Sequence, residues 1–332
     1  MMACAAVRIA AVVGLLAVSL AAASTAHGQS ASKLWRIGFV GAESESTSRH
    51  FLDAFRAGMI DQGYVEGRNI IIDVRWAEGR TERVRSLITD LIQHKSDVLV
   101  ILSTQAALEA KALTKTIPIV FIAGDPVGSG LVSDLGHPGG NLTGLAITLG
   151  EEFLGKWLEL LRQVVPKITR VAILFNPDNP VNTSRLQAVQ DSARQLNIKL
   201  QQRGVTDAAQ LDAAFTAMDA AHAEGLLVFL DPLTVRHRAR IVELAATHRL
   251  PTVYGLREFV ETGGLMAYGS NIPALCRRAA LYVHKIIKGA RPADLPVEQA
   301  TQFELLINLK AARALGLTVP QSLLMRADQV LP

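Results

Sequence analysis

RVAILFNP, residues 170–177, is an apolar run that ends in Asn and Pro. It resembles RIGFV, residues 36–40, in character and lies about half a chain later. Each segment has the pattern of a short buried strand, and each opens a series in which strands alternate with helices. The sequence of 332 residues therefore predicts two similar α/β lobes in tandem, each large enough for its own core.

The strands of both series are continuously apolar, which is typical of parallel sheets covered by helices on both faces. Apolar residues between positions 84 and 92 recur with the spacing i, i+3, i+4, i+7, i+8, which indicates a helix that lies on a sheet. The predicted strands are residues 36–40, 69–76, 97–102, 118–123, 170–177, 199–205, 225–230, 250–255 and 264–269.

The segments outside the two series show how the lobes are connected. EEFLGKWLELLRQVVP, residues 151–166, is an amphipathic helix between the lobes, and we expect its Phe153 and Trp157 in the core. After the second series, a predicted helix and a predicted strand, FELLINL at 303–309, indicate that the chain returns to the first lobe and then crosses again. We assign residues 33–146 and 270–294 to lobe 1, and residues 147–269 and 295–332 to lobe 2.

Residues 1–28 have the layout of a secretory signal peptide. A positive charge precedes an apolar stretch, residues 9–23, that is shorter than a membrane span and is followed by small residues. Cleavage after Ala26 and cleavage after Gly28 both satisfy the small-x-small pattern. We expect a periplasmic protein whose mature part has one thiol, Cys276, and no intramolecular disulfide.

Several kinds of site lack their sequence pattern. Gly128 and Gly130 are followed by Ser133, so the G-x-G-x-x-G of a dinucleotide loop is incomplete. The chain contains neither the G-x-S-x-G of a nucleophile elbow nor the H-E-x-x-H of a zinc site. Basic and acidic residues are interspersed at a net charge of +4, without a basic block. We expect no catalytic residue, no metal, no cofactor and no nucleic-acid partner.

Polar side chains follow several predicted strands at their carboxyl ends, where open α/β sheets bind ligands. Helix N-termini at this edge offer free amides and the positive end of the helix dipole. The two lobes contribute facing sets of such residues, which suits a closing cleft. The candidate ligand-binding residues are Glu43, Ser44, Ser103, Thr104, Gln105, Asp125, Asn176, Asn179, Asp231, Tyr254, Ser270 and Asn271.

A small zwitterion is the ligand that matches these residues best. We place its carboxylate on the amides of Ser103 to Gln105 and its ammonium on Asp125 or Asp231. Tyr254 offers a flat wall for an apolar or aromatic side chain.

Ordered motifs from residue 63 to residue 317 carry a resemblance to a known family. They are GYVEGRNI (63–70), RWAEGR (75–80), TIPIVF (116–121), DPVGSGLV (125–132), HPGGNLTGL (137–145), NPDNP (176–180), GGLMAYG (263–269), RRAALYV (277–283), KGARPADLPVEQ (288–299) and FELLINLKAARALGL (303–317). With these motifs the chain resembles the periplasmic substrate-binding components of ABC transporters, in the tryptophan/tyrosine-type group.

The resemblance implies a type I periplasmic binding protein, in which two Rossmann-like lobes are joined by three crossings. It also implies a monomer without enzymatic activity that closes on a small molecule, with amino acids, aromatic ones included, as the leading ligands. An ABC permease in the inner membrane is the implied partner. This chain has Ser103-Thr104-Gln105 where the family commonly has a Gly-Thr-Pro-like segment, and Ala274 where relatives often carry Asp.

Two other functions stay open from the sequence. A periplasmic sensor subunit would present the same closed form to a signalling receptor. A secreted α/β enzyme would need a nucleophile–base pair or metal ligands. A permease and an ATPase encoded beside the gene would favour transport.

Overall fold

A computed structural model describes residues 33–147 and 151–332, so the predicted signal peptide, residues 1–28, lies outside the described residues. The strands are β1 (Trp35–Gly41), β2 (Ile70–Trp76), β3 (Val98–Leu102), β4 (Ile119–Gly124), β5 (Leu142–Ile147), β6 (Arg170–Phe175), β7 (Lys199–Gly204), β8 (Gly225–Val228), β9 (Thr252–Tyr254), β10 (Met266–Ser270), β11 (Glu298–Gln299), β12 (Phe303–Asn308) and β13 (Gln329–Leu331). The α-helices are α1 (Glu45–Asp61), α2 (Thr81–Gln93), α3 (Thr104–Leu113), α4 (Glu151–Val164), α5 (Val181–Gln195), α6 (Leu211–Ala220), α7 (Pro232–Arg236), α8 (Arg238–Thr247), α9 (Arg257–Glu261), α10 (Ile272–Ile287), α11 (Leu309–Ala314) and α12 (Gln321–Leu324).

Two sheets form the centres of two α/β lobes, which confirms the predicted fold class. The sheet of the first lobe has the order β11-β5-β4-β3-β1-β2, and neighbouring strands pair in parallel. The sheet of the second lobe has the order β13-β12-β10-β9-β8-β6-β7. Its strands β10 and β12 pair antiparallel, with Ser270 opposite Phe303, and its other described pairs are parallel. β12 runs against β10 because the chain enters this lobe beside the carboxyl end of β10.

The chain passes between the lobes at three places. It leaves the first lobe between β5 and α4, returns between β10 and α10, and leaves again between β11 and β12. The structure moves the predicted lobe boundaries by a few residues. Glu298 and Gln299 pair with Leu145 and Ala146, so the first lobe extends past residue 294. Residue 147 ends a strand of the first sheet, so it belongs to the first lobe. Residue 270 ends a strand of the second sheet, so it belongs to the second lobe. Strand pairing at the sheet edge, which composition does not reveal, sets these boundaries.

Buried apolar residues pack the helices onto the sheets. Phe153 and Trp157 of α4 are 7% and 1% exposed, which confirms them as core residues. In the first lobe α10 packs closely against α1 at Gly58. The contact is so close that a Cβ atom at Gly58 would stand only 2.4 Å from the carbonyl oxygen of Arg277. Cys276 of α10 is fully buried, and burial raises the pKa of its thiol. Within residues 33–147 and 151–332, no helix combines the length and the apolar character needed to cross a bilayer.

Candidate functional site

A cavity lies between the two lobes, at the carboxyl ends of strands from both sheets. The first lobe contributes residues at the ends of β1, β3 and β4, and the second lobe contributes residues that follow β6 and β8. The space inside the cavity and the open solvent at its mouth together measure about 730 Å³. The lining is mostly apolar and includes Phe51, Leu102, Ile122, Leu230, Val235 and Leu256.

Half of the predicted site residues line this cavity. They are Glu43, Ser103, Thr104, Gln105, Asn179 and Asp231. The other half lie at the rim, in helix caps or in the core: Ser44, Asp125, Asn176, Tyr254, Ser270 and Asn271. Ser48 and Arg185 are polar lining residues that the sequence did not single out.

Asp231 is the acidic residue that the second lobe holds in the cavity. It is 2% exposed and caps the N-terminus of α7, where its carboxylate accepts a hydrogen bond from the backbone N–H of Leu233 at 2.8 Å. The side-chain amides of Asn179 and Asn176 donate to the same carboxylate at 2.8 and 3.2 Å. These three neutral donors orient the carboxylate without neutralising it. Asn176 therefore acts on the cavity through Asp231.

Arg185 places a guanidinium in the same cavity. Its side chain is buried, and Nη1 donates to the carbonyl oxygen of Leu230 at 2.8 Å and to Oδ1 of Asn182 at 3.2 Å. No residue in the described part of the chain accepts a hydrogen bond from Nε. Burial lowers the pKa of Arg185 to about 10, while the negative charges of Asp231 and Asp125 act in the opposite direction.

A sequence signal for Arg185 exists in α5. Val181, Arg185, Ala188 and Val189 are buried residues of this helix with the spacing i, i+4, i+7, i+8. An arginine within an apolar stripe has to meet a buried partner or a cavity. Gly124 of the first lobe makes room for it, because a Cβ atom there would stand 2.9 Å from Nη2 of Arg185.

The start of α3 forms the wall of the cavity on the first lobe. Ser103 caps this helix, and its hydroxyl accepts a hydrogen bond from the backbone N–H of Ala106 at 3.2 Å. The hydroxyl of Thr104 both donates to the carbonyl oxygen of Gly124 and accepts from its N–H, each at 3.0 Å. The first backbone N–H groups of a helix have no partner within the helix, so this turn presents donors to an anion.

Glu43 brings a second carboxylate into the cavity from the first lobe. It follows β1 and is 8% exposed. Its Oε2 atom accepts no hydrogen bond from the residues that the structure describes. Burial raises the pKa of Glu43, and the charge of Asp231 raises it further, while Arg238 and Arg236 lower it. The cavity thus combines two carboxylates and one guanidinium within an apolar wall.

Two predicted contacts are placed differently by the structure. Asp125 lies at the rim, where its carboxylate accepts hydrogen bonds from the N–H of Gly128 at 2.9 Å and from the hydroxyl of Ser184, in the other lobe, at 3.0 Å. Tyr254 is 1% exposed and its ring stacks on Phe259, with 4.6 Å between centroids. Tyr254 ends β9 but points into the core of the second lobe, so the predicted aromatic wall is wrong. The apolar wall comes from aliphatic residues and Phe51 instead.

Of the three remaining predicted residues, Ser44 and Asn271 have hydrogen-bond partners, whereas the buried hydroxyl of Ser270 has none among the residues that the structure describes. The hydroxyl of Ser44 contacts those of Ser46 and Thr47 at the start of α1. Asn271 caps α10, and its side-chain oxygen accepts a hydrogen bond from the N–H of Ala274 at 2.9 Å. Ser270 is buried at the end of β10, beside the second crossing.

The lobes also touch each other outside the cavity. Nε2 of His50 in α1 lies 2.8 Å from Oε1 of Glu258 in α9. A Cβ atom at Gly79 in the first lobe would stand 2.6 Å from Cδ of Arg236 in the second. Together with the bond between Asp125 and Ser184, these contacts describe a closed arrangement.

Comparison with known proteins agrees with this architecture. The family model described as ABC transporter substrate binding protein matches residues 43–331. The tyrosine-binding protein of Clostridioides difficile is 27% identical over 271 residues, which are 80% of this chain and 77% of that protein. The solved structure of a conserved domain protein from Vibrio cholerae is 27% identical, has a TM-score of 0.85, and aligns with 90% of this chain and 100% of its own.

A second solved structure supports the fold alone. The ABC domain from Streptococcus pneumoniae, solved in complex with L-Trp, is 24% identical and has a TM-score of 0.84, with 90% of this chain and 100% of its own aligned. The match to the family model covers most of the chain and includes residues of both lobes. This chain therefore belongs to the family of ABC transporter substrate-binding proteins.

Proposed function

We propose that the protein binds an amino acid with an apolar or aromatic side chain in the cavity between its lobes and delivers it to an ABC permease in the inner membrane. The observation that carries the proposal is that two buried side chains of opposite charge, Asp231 and Arg185, line the same mostly apolar cavity. An amino acid has the matching ammonium, carboxylate and side chain. The similarity to a tyrosine-binding protein supports the same ligand class.

The cavity suggests how the parts of the ligand are held. Of the two acids considered for the ammonium, Asp231 lines the cavity and Asp125 is engaged at the rim, so we assign the ammonium to Asp231. The carboxylate is assigned to the first turn of α3, at Thr104 and Gln105, with Arg185 as its cationic partner. The side chain of the ligand packs against the apolar wall.

Binding is coupled to a hinge motion in this proposal. The ligand contacts residues of both lobes and therefore stabilises the closed arrangement over an open one. The three crossings form the hinge. No covalent step is involved, and the ligand leaves unchanged when the permease opens the lobes. We propose that the protein acts as a monomer in the periplasm, after removal of the predicted signal peptide. The family match favours this transport role over a sensor or an enzyme.

A thermal-shift screen of amino acids and small metabolites on residues 29–332 tests the proposal. A ligand that binds only the native state at 100 times its Kd adds about 2.7 kcal/mol to the free energy of unfolding, so Tm rises. We expect amino acids with apolar or aromatic side chains, L-tyrosine among them, to raise Tm. If other solutes raise Tm and no amino acid does, the assigned ligand class is wrong.

A pair of variants tests the assignment of the ammonium. Asp231→Asn should weaken binding of the amino acid by about 10- to 100-fold in calorimetry, because it removes the charge that the ammonium meets. Asp178→Asn removes a charge from the same rim of the second lobe, where Asp178 is exposed, and should leave Kd unchanged. Equal affinities of the two variants would contradict the assignment. Circular dichroism checks that both variants are folded.

A further inference from the structure

We propose that Glu43 is a second anchor for the cationic nitrogen of the ligand, and that this nitrogen, held between Glu43 of the first lobe and Asp231 of the second, supplies the charge that lets the lobes close. This inference rests on the proposed function and adds to it a residue, a selectivity and a cause for closure. For this role the ligand has to carry a cationic nitrogen attached to an apolar body.

Glu43 occupies an incomplete environment. Its side chain lines the cavity and is more than nine-tenths buried, yet Oε2 receives no hydrogen bond within residues 33–147 and 151–332. Burying an ionised carboxylate without a partner is unfavourable, and buried charges in proteins are normally paired. A group from outside the chain that donates hydrogen bonds and carries positive charge would complete this environment.

The charges around Glu43 come from the other lobe. Asp231 faces it with a carboxylate that neutral donors orient, and Arg236 and Arg238 act on Glu43 from α7 and α8. Arg185 lies in the same cavity and is held by the carbonyl oxygen of Leu230. Closing the lobes brings Glu43 and Asp231 into one poorly solvated space, where like charges repel more strongly than in water. A cationic nitrogen between the two carboxylates is attracted by both of them, and this attraction offsets their mutual repulsion.

The positions of the charged side chains also predict which functional group of the ligand contributes more to its affinity. Loss of the ammonium leaves two carboxylates facing each other, whereas loss of the ligand's carboxylate leaves Arg185 with its existing partners in the second lobe. We therefore expect the ammonium to matter more than the carboxylate. L-Tyrosine, tyramine and 3-(4-hydroxyphenyl)propionic acid form a matched series, because the last two each lack one of the groups. Tyramine should bind more tightly than the propionic acid.

Calorimetry with L-tyrosine on two variants tests the role of Glu43. Glu43→Gln should weaken binding by about 10- to 100-fold, since a charge-assisted hydrogen bond is lost. Glu45→Gln removes the same charge two residues away, on an exposed side chain at the start of α1, and should change Kd less than twofold. If the wild-type protein binds L-tyrosine and Glu43→Gln binds it equally well, the inference fails while the proposed function stands.

A second measurement needs no ligand, so it decides the role of Glu43 in closure even if the wild-type protein binds no amino acid and the proposed function fails. Glu43→Gln removes one of the two charges that repel across the empty cleft. In small-angle scattering at pH 8, the unliganded variant should therefore have a smaller radius of gyration than the wild type and Glu45→Gln. Equal radii for all three proteins would overturn the proposed coupling of charge to closure.

Discussion

At the scale of single residues, the wall of the cavity contains a strained backbone. Ser103 has φ = 127° and ψ = 153°, a region that residues with a side chain rarely adopt. The helix α3 nevertheless keeps this serine as its cap, and its hydroxyl satisfies the N–H of Ala106. Strain and capping therefore act in opposite directions at Ser103.

Replacing Ser103 by Gly should stabilise the protein. The substitution relieves about 1–3 kcal/mol of backbone strain, while the loss of the cap to Gly costs only a few tenths of a kcal/mol. We expect a free energy of unfolding higher by about 1 kcal/mol or more in urea denaturation. Ser103→Ala is the control, because it keeps the strain and loses the cap, and it should destabilise the protein. A destabilised Gly variant would show that the strain is absent.

The position of Tyr254 predicts the behaviour of a conservative variant. Its ring is buried against Phe259 and lies away from the cavity. Tyr254→Phe should therefore leave the Kd of the amino acid within twofold of the wild-type value, as measured by calorimetry. A tenfold loss of affinity in a folded variant would place the hydroxyl in the binding site and contradict the structure.

At the scale of elements, the cleft depends on how closely the helices of the first lobe pack. The helices α1 and α10 meet at Gly58, Arg277 and Ala280. Because α10 follows the second crossing and α1 carries Ser48 and Phe51 to the cavity, this contact links the hinge to the cavity wall.

Gly58→Ala should destabilise the protein although alanine favours helices. The new Cβ atom would stand 2.4 Å from a backbone oxygen of Arg277, so the two helices have to separate. Overpacking of this kind costs about 1–3 kcal/mol, more than the gain of about 1 kcal/mol in helix propensity. Urea denaturation measures the difference.

A glycine in α4 provides the matched control. A Cβ atom at Gly155 would meet the hydroxyl of Ser192 at 2.8 Å, and this side chain can rotate away. Gly155→Ala should therefore be neutral or slightly stabilising. Equal losses of stability in both variants would mean that the contact with Arg277 is not the cause.

At the scale of the whole molecule, closure is governed by contacts and charges that lie far apart in the sequence. His50 meets Glu258, Asp125 meets Ser184, and the carboxylates of Glu43 and Asp231 share the cavity. The first two contacts favour the closed arrangement without a ligand, and the third opposes it. The balance between them determines how much the ligand shifts the population.

The raised pKa of Glu43 makes closure of the unliganded protein dependent on pH. In the closed form Glu43 binds a proton more readily than at its ordinary pKa of 4.5, because burial and Asp231 disfavour its charge against the opposing effect of Arg238 and Arg236. The closed form is therefore favoured below pH 4.5 and loses this advantage as pH rises through the raised pKa. Scattering between pH 4.5 and pH 8 should show a radius of gyration that grows with pH.

Two variants separate the sources of this dependence. His50 and Glu258 meet across the lobes outside the cavity, and both side chains are ionisable. His50→Gln removes this contact, and Glu43→Gln in the same background should remove the dependence on pH. A radius that still changes with pH in the double variant would assign the effect to other groups.

Local patterns in the sequence were sufficient for the architecture. The two apolar strand series, the core positions of α4 and the family motifs depend on periodicity and order along the chain, and the structure and the family match bear them out. Strand ends also located six of the eight polar residues that line the cavity, among them Asp231 and Glu43. These features can be predicted because the carboxyl ends of parallel strands share one edge of a sheet.

By itself, then, the sequence determined two lobes of parallel strands and the edge at which polar groups gather. Only the tertiary structure decided which side chains meet there. Tyr254 is buried against Phe259, Asp125 accepts a hydrogen bond from Ser184 of the other lobe, and Arg185 extends from α5 into the cavity. The physical reason is that strand position specifies an edge, whereas the direction of a side chain and the approach of two lobes depend on packing between residues far apart in the chain.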